Sequence, residues 1–224
     1  MWLQRAWYRF VWVVVSALAR ALCRIEKHGS SNVPETGPLI MVSNHLQLFD
    51  PPLVLAGMTY REDIKVLVAE KWGETWPASW FLKSMGAIFV RRGEVDREAL
   101  NKILAELDQG GIVGLAPEGT RSRTGTMQRA KPGIAYLAIK ADVPVLPIGV
   151  SGQNSVIAGW MRLRRPRVVV RIGRPFKLEP VHGRQKSQQL QARSDEVMRR
   201  VAVLVDEELR GVYTDSVREM ESTV

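Results

Sequence analysis

Three histidines are available for proton chemistry: His28, His45 and His182. Only His45 lies where an apolar run, residues 38–43 (PLIMVS), meets a helix start at Asp50-Pro51-Pro52. Loops at such junctions carry function in α/β proteins. Asp50 follows in the stretch Asn44-His45-Leu46-Gln47-Leu48-Phe49-Asp50. On a continuous helix the two side chains would face different ways, but a strand-to-helix turn can fold the carboxylate back onto the imidazole. A carboxylate on one ring nitrogen sets the tautomer and favours the cation formed when the other nitrogen takes a proton. Such a pair is a general base for an alcohol, whose own pKa is too high for attack at neutral pH. The same spacing also fits a loop histidine beside an aspartate that merely caps a helix.

Three later stretches add charge. Gly86-Ala87-Ile88-Phe89-Val90-Arg91-Arg92 ends in paired arginines after an apolar run. Pro117-Glu118-Gly119-Thr120-Arg121-Ser122 follows another such run, with Arg123 close behind, and Val143-Pro144-Val145-Leu146-Pro147-Ile148 enters a third. Arginines so placed can grip phosphate through paired N–H donors, or form a solvated basic edge.

The order NHLQLFD, GAIFVRR, APEGTRS, VPVLPI, spanning residues 44–148, resembles the glycerolipid acyltransferase family. The match is nearest to its 1-acylglycerol-3-phosphate (lysophosphatidate) acyltransferase branch, and the lead-in RIEKHGSSNVP at 24–34 is a further likeness. Gln47 departs from the small polar residue frequent in the family, and Ala116 from phenylalanine. The resemblance implies an O-acyltransferase that moves a fatty acyl group from acyl-CoA or acyl carrier protein to the sn-2 hydroxyl of a lysophospholipid, giving phosphatidate. Glycerol-3-phosphate, a lyso-aminolipid or a glycolipid remain alternative acceptors. It further implies that His45 deprotonates the acceptor, Asp50 orients His45, and Arg92 and Arg121 hold the phosphate. Glu118 would position the acceptor or an arginine, and Gly119 would let the backbone pass close to substrate. Thr120 shares that stretch, and Lys131 would be a further phosphate ligand. A groove measuring acyl length is implied too, with Trp76, Trp80, Phe81 and Leu82 as walls or as core. Direct attack is expected, because Cys23 lies in the N-terminal segment and Ser43 has no nucleophile-elbow context. No metal or cofactor is expected beyond the thioester co-substrate.

These residues need a scaffold. Apolar runs at 38–43, 64–69, 87–90, 112–116, 145–150 and 168–172 read as strands. Helical periodicity marks 95–108, with Leu100, Ile103, Leu104 and Leu107 inward and Gly110-Gly111 as the stop. A shorter helix is predicted over 134–140 and a long one over 188–209, with Val197, Val201, Leu204 and Val205 inward. The alternation implies an α/β fold: one domain with a mostly parallel central sheet flanked by helices. The domain should span 25–212, after an N-terminal membrane-associating helix at 1–24 and before a loose tail at 213–224.

In that first segment FVWVVVSALA is uncharged but too short to span a bilayer, which takes roughly 20 apolar residues. Arg5, Arg9, Ser16 and Arg20 fall on one side of a helix, interrupted by Trp12, with Leu3, Phe10, Val14, Leu18 and Ala21 opposite. That arrangement suits a helix lying in a bilayer surface. A helix packed on the protein's own core and a signal peptide are the alternatives, the latter opposed by Arg20, Arg24 and Lys27 near any cleavage point. The chain of 224 residues has a net charge of +9. Nucleic acid, anionic lipid and a phosphorylated substrate would each suit that charge. Most aromatics sit in or beside apolar runs rather than among the basic residues, which argues against nucleic acid. A single cysteine and no zinc-type spacing fit a reducing compartment without a metal site. The expected protein is a monomer at the cytoplasmic face of a membrane.

Overall fold

The computed structural model describes residues 2–62, 64–91, 93, 96–183 and 185–222. Seven strands form one sheet: β1 (Arg24–His28), β2 (Leu39–Ser43), β3 (Ile64–Ala69), β4 (Ile88–Val90), β5 (Ile112–Leu115), β6 (Val145–Ser151) and β7 (Arg167–Ile172), in the order β1-β7-β6-β2-β5-β3-β4. Every pairing is parallel except β6 with β7. Around it lie α1 (Trp2–Leu22), α2 (Asp50–Gly57), α3 (Ala78–Ser84), α4 (Arg97–Asp108), α5 (Gly133–Ala141), α6 (Val156–Met161), α7 (Lys186–Ala202) and α8 (Thr214–Ser222).

The central strands are apolar throughout because helices cover both faces. Alternate residues of β2 divide between two cores, as the period of a strand requires. Ile40 and Val42 join Ile103 and Leu107 of α4, Ile134 of α5, and Val197 and Val201 of α7. Leu39 and Met41 join Tyr8 and Trp12 of α1, with Leu53 and Val54 of α2. At Gly57 helix and sheet approach so closely that a Cβ would lie 2.6 Å from Val170.

The predicted strands all form. β1 was not foreseen because its sequence, RIEKH, carries little apolar signal; it lies at the sheet edge, paired only with β7. The helix expected over 188–209 stops at Ala202. Beyond it the backbone is claimed by the sheet: Arg171 Nη1 donates to Leu204 O at 3.2 Å, and Asp206 N donates to Ser151 Oγ at 2.9 Å. The segment 213–224, expected to be loose, instead contains α8. Val217 there is wholly buried, and Glu221 pairs with Arg210 at 2.9 Å. α4 begins behind Asp96, whose Oδ1 caps Ala99 N at 3.1 Å; position 95 lies outside the described residues.

α1 packs on the protein's own core, one of the alternatives open from sequence. Tyr8, Val11, Trp12, Ser16 and Ala19 are buried, and Trp12 meets the edge of Tyr60, which explains its intrusion into the polar stripe. Leu3, Phe10, Val13, Val14, Leu18 and Leu22 remain exposed. The helix thus packs on the core with one face and presents a second apolar face outward. Among the described residues no helix is long and apolar enough to cross a membrane.

Candidate active site

β2 ends at Ser43, and the next residue makes the turn possible. Asn44 is wholly buried. Its Nδ2 donates to Val150 O at 3.0 Å and its Oδ1 accepts from Val150 N at 2.9 Å. One carboxamide thereby continues the pairing of β2 with β6 while the main chain turns away. His45 emerges at the carboxyl end of the sheet, the usual place for sites in open α/β folds.

The imidazole Nδ1 lies 3.0 Å from Asp50 Oδ2. The same oxygen accepts from Leu46 N at 2.7 Å and Gln47 N at 2.8 Å. A carboxylate only accepts, so Nδ1 carries the proton and Nε2 offers its lone pair. The His45 side chain is 20% exposed and that of Asp50 only 2%. The base therefore faces solvent while its partner is shielded. Asp50 does not cap α2, as one reading of the sequence allowed. It is the first helical residue, and its carboxylate reaches backward; Pro at the helix start spares amides that would otherwise want it. Asp50 Oδ1 is buried with no hydrogen-bond partner among the described residues.

Glu118, beyond β5, holds the His45 backbone. Its Oε1 accepts from His45 N and its Oε2 from Gln128 N, each at 2.9 Å. Burial pushes this carboxyl up from 4.5 to about 7, although the two amides and nearby His45 pull the other way. Ser122 N donates to His45 O at 3.0 Å, so the histidine is gripped at both main-chain atoms by one loop. With one oxygen on each of two amides, Glu118 acts as a clasp on the His45 main chain. Gly119 has φ +70°, and a Cβ there would lie 2.9 Å from Lys131 Cε, so the lysine stem runs across it. Thr120, Arg121 and Lys131 are exposed on this loop system. Arg92 lies outside the described residues. Trp76, Trp80 and Phe81 are exposed, not core, and Trp80 meets Trp7 of α1 edge-on.

Three residues of the site escaped the sequence reading. Asn44 and Gln128 are described above, and Asn154 joins the two loops. Gln47 Nε2 donates to Asn154 Oδ1 at 3.1 Å, and Asn154 Nδ2 donates to Gly125 O at 2.9 Å. Position next to His45 was the available hint for Asn44; the others depend on contacts distant in sequence. Together the groups can remove a proton from a hydroxyl at Nε2 and stabilise the resulting cation.

The Acyltransferase family model matches residues 24–151, which include every element of this constellation except Asn154. The chain belongs to the acyltransferase family. A lyso-ornithine lipid O-acyltransferase of Pseudomonas aeruginosa is 31% identical over 118 residues, covering 51% of this chain and 43% of that relative. The 1-acyl-sn-glycerol-3-phosphate acyltransferase alpha of Mus musculus is 34% identical over 135 residues, 57% of this chain and 45% of the relative. The chain thus spans about half the length of the curated relatives it matches. The crystal structure of the 1-acyl-sn-glycerophosphate acyltransferase from Thermotoga maritima superposes with a TM-score of 0.65 at 23% identity, covering 96% of this chain and 81% of that one. At that identity the likeness establishes a shared fold.

Proposed function

We propose that this family member transfers a fatty acyl group from acyl-CoA or acyl carrier protein to the sn-2 hydroxyl of 1-acylglycerol-3-phosphate. The observation that carries the reading is the three-donor grip on Asp50 Oδ2, which orients His45 and leaves Nε2 facing outward. In this mechanism Nε2 takes the acceptor's proton as the hydroxyl oxygen attacks the thioester carbonyl. Asp50 stabilises the imidazolium, and backbone N–H groups bear the tetrahedral oxyanion. Collapse expels the thiolate, which recovers the proton from His45. The products are phosphatidate and the free thiol, with no acyl-enzyme. Arg92, Arg121 and Lys131 hold the acceptor phosphate beside Thr120, and Gly119 keeps the backbone close to substrate. Glu118 sets the position of His45. The donor supplies its own activated carbonyl, so no metal or prosthetic group takes part. The exposed face of α1 rests on the cytoplasmic surface of a membrane, from which the lipid acceptor is drawn.

A lyso-aminolipid acceptor is the second reading, favoured by the Pseudomonas relative. The exposed arginine and lysine weigh against it, since they suit a dianionic phosphate better than a head group that carries its own ammonium. Incubating the detergent-solubilised protein with oleoyl-CoA and each acceptor in turn decides between them. Phosphatidate by mass spectrometry is the expected result. Product from the aminolipid alone would reassign the acceptor, and product from none, with either donor carrier, would overturn the reading.

A further inference from the structure

The turn that follows α6 holds a leucine out into solvent. Arg164 N donates to Gly159 O and Leu163 N to Trp160 O, each at 2.9 Å. These two bonds define a Schellman closure, whose left-handed position is usually glycine because a side chain crowds the backbone there. Here that position is Leu163, with φ +52°. Its side chain is 97% exposed and that of neighbouring Met161 is 82% exposed, so neither repays the strain by packing in the core.

The turn is nevertheless firmly seated. Pro166 is buried against Gly159, where a Cβ would lie 3.1 Å from the proline ring. Trp160 Nε1 donates to Leu22 O at 3.0 Å, and Arg165 Nη2 donates to the carbonyls of Arg20 and Cys23. The turn is thus fastened to the end of α1, near exposed Leu18 and Leu22. Arg162 and Arg164 flank the leucine and are exposed; among the described residues neither forms an ion pair with a carboxylate.

We propose that residues 161–165 form a second lipid contact, specific for an anionic bilayer surface. Leu163 and Met161 enter the headgroup boundary, and Arg162 and Arg164 bind lipid phosphates. The proposal rests on the reading that α1 lies on a membrane and extends it. Charge complementarity and continuity with the outward face of α1 select lipid as the occupant. An acidic protein partner would suit the arginines but leave unexplained why an exposed leucine is held at the end of the helix that carries that apolar face. Trp160 packs edge-on with Phe49, ring centroids 5.1 Å apart, and Phe49 precedes Asp50, so the seated turn also touches the segment that carries the His45–Asp50 pair.

The test is co-sedimentation of the full chain with vesicles of phosphatidylcholine, alone or mixed with phosphatidylglycerol. Each arginine near an anionic surface is worth roughly a fivefold change in partitioning, so R162Q/R164Q should lose about 25-fold on the mixed vesicles and little on the neutral ones. Leu163→Ser should weaken binding to both. Circular dichroism confirms that each variant is folded. Leu163→Cys carrying an environment-sensitive fluorophore should shift to the blue on mixed vesicles; Cys23, only 1% exposed, escapes labelling. If F10S/L18S abolishes binding while the turn variants partition like wild type and the fluorophore stays in water, the turn proposal is overturned and the α1 reading survives. If wild-type protein sediments with neither vesicle, both fall. Neither readout requires turnover, so the result is independent of the proposed reaction.

Discussion

Asp50 Oδ2 accepts three hydrogen bonds at once, and Asp50→Asn would keep the size of the group while removing its charge. The imidazolium would lose its counter-charge, so kcat should fall by about 10³–10⁴ with acceptor KM little changed, as steady-state thiol release would report. Asn44 serves stability as much as chemistry. Asn44→Ala strips partners from the N–H and C=O of Val150 in a buried strand, and should cost about 2–4 kcal/mol in denaturant unfolding. Glu118 leaves a pH signature. Its carboxyl is raised from 4.5 to about 7, so between those values the folded chain keeps a proton that the unfolded chain has released. Its contribution to stability therefore falls as pH rises through that window and levels off above it, by about 3 kcal/mol at most. Thermal melts of Glu118→Gln should lose this slope relative to wild type; an unchanged slope would assign it elsewhere. Protonation also converts one acceptor oxygen into an O–H, loosening the hold on either His45 N or Gln128 N.

At the scale of elements, two loops from different strands must stay in register for His45 to meet an acceptor that, in the proposed mechanism, Arg121 holds. Buried bonds through Glu118 fix the inner side, and the Gln47–Asn154–Gly125 bridge ties the outer side. Gln47→Ala should therefore raise acceptor KM by about 2–10-fold with kcat nearly kept, and should be non-additive with Asn154→Ala. This division also explains what could be read from the chain. The His45–Asp50 pair and the stretch from Pro117 to Ser122 are local in sequence, and six strands carried their own apolar signal. β1, the early end of α7 and the existence of α8 depend on partners far along the chain: Val168 beside Ile25, Ser151 beside Asp206, and the core of Ile103 and Ile134 that Val217 joins. For Glu118 the residue was found but not its use, because an acid beside arginines suggests an ion pair, whereas burial here turned it toward amides.

The whole molecule has a reactive edge at the carboxyl ends of its strands and an apolar helix face left uncovered at its N-terminus. Its net charge of +9 gives long-range attraction to anionic surfaces that salt should weaken. Sequence composition carried that charge but not its placement, since tertiary packing alone fastens the turn after α6 to the end of α1. Membrane, acceptor and donor meet at one imidazole in this account. The most direct measurement is acceptor-dependent thiol release from oleoyl-CoA with lysophosphatidate, comparing wild type with His45→Ala. The account predicts release and phosphatidate in equal amounts from wild type, and a loss of about 10³-fold or more in the variant, whose fold should be intact. A variant as active as wild type would contradict the assignment of His45 as the base.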